Sequence, residues 1–135
     1  MGLESMIDPS SAIIAAIVDD DQRMLWSLEN LLESAGYTVR LFAAAETLLE
    51  SGQLAELDCL ISDIDLPRID GFELLRRARA ARPELPVILI TGHHAIGERP
   101  PPGSAGNCLL LMKPFDGQDL LAAVSEAVQR LRGRS

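Results

Sequence analysis

Basic charge is in short supply in this sequence. Twelve Lys and Arg stand against twenty Asp and Glu, for a net charge of −8 at pH 7. So acidic a balance argues against broad contact with a nucleic-acid backbone, because such binders carry a basic face or stripe. Cysteine is scarce as well. Cys59 and Cys108 stand far apart inside separate apolar runs, with no CxxC between them. That excludes a disulfide framework and leaves two reduced core thiols, as in a cytoplasmic protein. No apolar run approaches the length of a membrane span. Residues 1–11 lack the basic start of a signal peptide, and "AIIAAIV" runs straight into "DDD". These eleven residues are expected to form a flexible leader.

What is present suits one folded domain. A chain of 135 residues can bury a core without staples. Its 47% hydrophobic and 24% charged residues are ordinary for a globular protein. Four continuous apolar runs, at 12–18, 57–62, 86–90 and 108–112, read as parallel strands buried on both faces. Residues 38–42, "TVRLF", alternate more and suit an outer strand. Helical periods lie between them. Leu25, Leu28, Leu31, Leu32 and Ala35 form one stripe that Gly36 stops, and a short helix over 44–51 is ended by Gly52. Asp70 and Glu73 read as a capping pair ahead of Phe72, Leu75 and Ala78. A last stripe runs from Leu120 to Leu131, with Asp116 placed to cap it. Strands alternating with helices predict a doubly wound α/β fold with right-handed crossovers. Between 90 and 108 the rhythm breaks: "HHAIGERPPPGSAGN" has three consecutive prolines, which a helix interior cannot hold. The fourth helix is therefore expected to be largely missing.

Sites in open α/β sheets collect beyond the carboxyl ends of the strands. Here the strands are followed by Asp19, Asp20 and Asp21, by Asp63 and Asp65, by Thr91, and by Lys113. Crowded carboxylates repel one another and need a cation, and hard oxygen ligands suit Mg²⁺. An aspartate beside such a metal can act as nucleophile toward a phosphoryl group. The Lys113 ammonium and the Thr91 hydroxyl would then take phosphoryl oxygens, since this chemistry needs mainly positioning and charge neutralisation. Asp21 and Asp70 are explained well enough as helix caps. The adjacent His93 and His94 read as loop residues, and Arg130, Arg132 and Arg134 as a solvated helix end.

The stretches "IVDDD", "LISDIDLPRIDG", "PVILITG" and "LLLMKPF" resemble, in order and spacing, the receiver domains of two-component response regulators. The resemblance covers about residues 12–131, leaving 132–135 as a tail. It implies a flavodoxin-like five-stranded parallel sheet of order 2-1-3-4-5. It also implies that Asp63 is the phosphoacceptor and Asp20 the main Mg²⁺ ligand, with Asp19 beside it and Asp65 lending its backbone carbonyl. Thr91 would sense the phosphoryl group, Lys113 would pair with it, and the Lys113–Pro114 bond would be cis. The partner implied is a sensor histidine kinase or phosphotransfer protein, and the aspartyl phosphate would hydrolyse itself, making a switch rather than a turnover enzyme. A missing helix would bare apolar surface, so a homodimer is a further expectation.

The family commonly has an aromatic residue three positions before its lysine, where this chain has Leu110. That departure keeps a second class in play, a phosphate-independent interaction module. A third class, phosphatases of the haloacid-dehalogenase type, also place an acid two residues beyond a nucleophilic aspartate. They need further acids after the lysine, whereas here the acidic cluster comes first. An EF-hand fails because Pro67 and Arg68 occupy positions that need a ligand and a glycine.

Overall fold

The computed structural model describes residues 13–92 and 108–133, with side chains through residue 130. Five strands form one parallel sheet: β1 Ile14–Val18, β2 Thr38–Phe42, β3 Cys59–Asp63, β4 Val87–Thr91 and β5 Cys108–Met112. Their spatial order is β2-β1-β3-β4-β5, so the chain winds outward both ways from β1 and β3. Four helices occur among the described residues: α1 Gln22–Ser34, α2 Ala45–Ser51, α3 Gly71–Ala81 and α4 Gly117–Gly133. A single 3-10 turn at Leu54–Glu56 precedes β3. Residues 93–107, where the fourth helix was expected to be missing, lie outside the described residues. So do His93, His94 and the 1–11 leader. Helix α4 continues through Gly133, two residues into the expected tail.

The continuous apolar runs are explained by two cores. Neighbouring side chains on a strand point to opposite faces, and here each face is covered. Ala16, Val18, Leu60 and Leu89 pack with Leu48, Leu74 and Leu75 on the face that carries α2 and α3. Ala15, Ile17, Ile61 and Ile88 pack with Leu25, Leu28, Leu32, Leu120 and Val124 on the other. Helix ends follow the local chemistry. Asp21 accepts from the Arg23 N–H at 3.0 Å, and Asp70 from the Glu73 N–H at 2.9 Å. At α4 the capping bond runs the other way. The Asp116 N–H donates to the Asp119 carboxylate at 3.2 Å, which is the reverse half of a capping box.

One long-range device fixes the approach to β3. The Arg82 guanidinium, just past α3, donates to the Leu54 carbonyl at 2.9 Å and to the Leu57 carbonyl. It thus holds α3 to the 3-10 turn that feeds the strand. A hydrogen bond from a charged group is worth about 1.5–3 kcal/mol, and these two share one guanidinium nitrogen and count as about one such bond, so Arg82→Ala is expected to cost about 2 kcal/mol in a urea melt. Lysine, lacking the planar fork, should restore little of it; full restoration by Arg82→Lys would mean that charge alone matters. On α1, Trp26 is 56% exposed, the one large apolar side chain among the described residues that faces solvent to this extent.

Candidate functional site

The register sets the site. Val18 pairs with Ser62, Asp63 with Ile90, and Thr91 with Met112. Asp19, Asp63, Thr91 and Lys113 therefore leave the sheet within two residues of the same level, at one rim. Backbone bonds hold them there. The Asp19 N–H donates to the Phe42 carbonyl at 3.1 Å, and the Ile64 N–H to that of Ile90 at 2.9 Å. The Lys113 N–H donates to the Thr91 carbonyl at 2.7 Å.

Carboxylate oxygens of Asp19, Asp20 and Asp63 all lie within 4.8 Å of one another. Asp19 and Asp63 are buried, at 2% and 7% exposure, while Asp20 faces solvent. Each buried acid is steadied by the backbone two residues on. Asp19 accepts from the Asp21 N–H at 2.8 Å and Asp63 from the Asp65 N–H at 3.2 Å. Burial pushes the Asp19 carboxyl up to about 6, and the nearby Asp63 charge pushes the same way against that backbone bond. Burial also raises Asp63, with the Lys113 ammonium opposing it. The Lys113 Nζ lies 3.9 Å from Asp63 Oδ2. Thr91 is fully buried, and the Lys113–Pro114 peptide is cis. Asp65 is exposed beyond the strand end. Three hard oxygen donors around one point, two of them short of water, fit Mg²⁺ by number and by type.

Two neighbours escaped the sequence reading. The Ser62 hydroxyl, buried between strands, donates to the Asp63 carbonyl at 2.9 Å. Gly71, at the start of α3, has its N–H on the Ile64 carbonyl at 2.9 Å. A Cβ there would stand 2.7 Å from both the Asp63 carbonyl oxygen and the Ile64 Cα. A glycine at a first helical position, where nothing local requires one, was the available signal. Arg68, in the same loop, has φ 65, a left-handed backbone that costs a side chain like arginine about 1 kcal/mol. Beside the pocket, a groove of about 530 Å³ is lined by Met24, Leu28, Leu31, Pro114 and Phe115, and it shares Lys113 with the site.

A doubly wound parallel sheet with an acidic pocket and a lysine at its carboxyl rim defines an α/β domain suited to phosphoryl and metal chemistry. The family follows from comparison with known proteins. Residues 15–125 match the response regulator receiver domain, and the chain belongs to that family. It is 34% identical over 114 residues to the transcriptional regulatory protein FixJ of Bradyrhizobium diazoefficiens, covering 84% of this chain and 56% of FixJ. It is 36% identical over 115 residues to the DNA-binding transcriptional regulator NtrC of Klebsiella pneumoniae, covering 85% of this chain and 24% of NtrC. The crystal structure of a CheY-like receiver domain protein from Methanospirillum hungatei JF-1 superposes with a TM-score of 0.81 at 29% identity, over 93% of this chain and all of that one. The chain thus spans about half or less of these two curated relatives. No helix among the described residues is long and apolar enough to cross a membrane.

Proposed function

We propose that this chain is a cytoplasmic phosphoacceptor switch, its receiver unit spanning residues 12–131, charged at Asp63 by a sensor histidine kinase or phosphotransfer protein. The observation that carries the reading is the buried Asp63 carboxylate, with Lys113 at 3.9 Å and two further acids within 4.8 Å. Asp20, Asp19 and Asp63, with the Asp65 backbone carbonyl, would hold Mg²⁺. When bound, the ion neutralises charge on the carboxylates and on the phosphoryl oxygens. One Asp63 oxygen attacks phosphorus, the bond to the donor's leaving group breaks, and the Asp65 N–H steadies the other oxygen. The Lys113 ammonium, released from Asp63 as that carboxylate becomes a mixed anhydride, pairs with a phosphoryl oxygen, and the Thr91 hydroxyl donates to another. Water later cleaves the acyl phosphate and resets the switch. A donor that brings its phosphoryl group to Asp63 must lie over this rim, where the groove sharing Lys113 offers apolar contact.

Intact-mass spectrometry after incubation with acetyl phosphate and Mg²⁺ tests the chemistry. One phosphoryl adduct is expected, absent from Asp63→Ala and lost on chelation. A folded protein that takes no adduct would refute the reading. A second reading, an interaction module that works without phosphate, draws on Leu110. That half-buried side chain packs on the core where the family usually carries an aromatic ring. An adduct that leaves solution shape and self-association unchanged would favour it.

A further inference from the structure

The arginines with described side chains divide into two groups. Arg40, Arg76, Arg77, Arg79, Arg82 and Arg130 each hold an acidic side chain or a backbone carbonyl. Arg23 and Arg68 are exposed, and neither side chain has a hydrogen-bond or ion-pair partner among the described residues. Both stand at the acidic rim. Arg23 lies in the first turn of α1, two residues past the cap Asp21. Arg68 lies in the loop from Asp63 to Gly71, whose two ends the Gly71–Ile64 bond draws together. At 3.8 Å per peptide, its Cα is no more than about 11 Å from that of Gly71.

The backbone at Arg68 adds a second observation. A φ of 65 is a place where glycine, asparagine or aspartate would sit at less cost. The loop instead carries a long cation with no hydrogen-bond or ion-pair partner among the described residues.

An incoming phosphoryl donor is an anion, and it meets a protein of net charge −8. At the rim it faces Asp19, Asp20, Asp21, Asp63, Asp65 and Asp70, with Lys113 set behind them. We propose that Arg68, together with Arg23, forms a cationic gateway that draws the donor's phosphoryl dianion to Asp63 and sets the rate of phosphorylation. The proposal rests on the phosphoacceptor reading above. Neither arginine needs to touch the reacting atoms; both act through the field they place over the pocket mouth, a long-range effect that salt removes.

The test is the rate of acetyl phosphate labelling by intact mass, far below saturation, with fixed Mg²⁺ at low and high ionic strength. At low salt, Arg68→Asn should label about threefold more slowly and Arg23→Gln/Arg68→Asn about tenfold, within the range of electrostatic steering. Arg68→Lys should restore the rate. At about 0.5 M salt all four proteins should converge, since charges more than a few Å apart are then screened. The less negatively charged donor phosphoramidate should feel the substitutions less. Equal rates at low salt would overturn the gateway, as would a slowing of the same size at both salts, which would signal a structural defect. If the wild type takes no phosphoryl group, the phosphoacceptor reading fails and the gateway with it. If the wild type labels and Arg68→Asn matches it, the gateway alone falls.

Discussion

Replacing Gly71 by alanine is expected to destabilise the protein by about 3 kcal/mol, at the upper end of overpacking penalties. The added methyl would stand 2.7 Å from the Asp63 carbonyl oxygen and from the Ile64 Cα, both backbone atoms that cannot swing away. Either the first turn of α3 lifts off β3 or the loop carrying Asp63 shifts. Both outcomes disturb Asp63, so phosphoryl labelling should fall with stability. A drop in the thermal midpoint of roughly 10 °C is the expected reading for a domain of this size. An alanine variant as stable as the wild type would show that the junction has slack, and that the glycine is there for another reason.

The second large effect has the opposite sign. Asp19→Asn is expected to stabilise the protein at pH 7 in the absence of divalent cations. The folded carboxyl titrates at about 6 against an ordinary 3.8, so the folded state prefers it protonated. The stability this gives is fully present below pH 3.8 and is lost as pH rises through 6. At pH 7 the wild type lacks it, and at 1.36 kcal/mol per pH unit the variant should gain about 2–3 kcal/mol. Urea melts in EDTA should show that gap at pH 7 and near-coincidence at pH 4. Adding Mg²⁺ should then stabilise the wild type more than the variant, because a ligand of the native state adds stability only where its donors survive. Equal melts at pH 7 without metal would mean that the Asp21 N–H bond already compensates for burial.

Most of the pocket could be read from the sequence because strand ends in a parallel sheet are few and share a rim. Asp19, Asp63, Thr91 and Lys113 each follow an apolar run directly, so finding the runs finds the residues. The two-sided core followed from the same runs, whereas the sheet order came only from the resemblance to receiver domains. What stayed hidden depends on contacts between distant segments. Arg82 looks like one more surface arginine until its guanidinium meets carbonyls 25 and 28 residues away. Gly71 looks like a helix start until Asp63 lies against it. The left-handed backbone at Arg68 contradicts local preference, so no pattern of residue types could announce it. At α4, Asp116 and Asp119 are both plausible cap residues, and only geometry decides which carboxylate accepts.

The exposed Trp26 has a practical consequence. It is the chain's single tryptophan, so nearly all indole emission comes from a ring that is already wet in the native state. Emission wavelength should therefore move little as the chain denatures, and fluorescence will understate unfolding that circular dichroism records in full. The same ring should shift to the blue, or be quenched, when another molecule lies across the outer side of α1. Evolution has left this domain an optical probe of its skin rather than its interior.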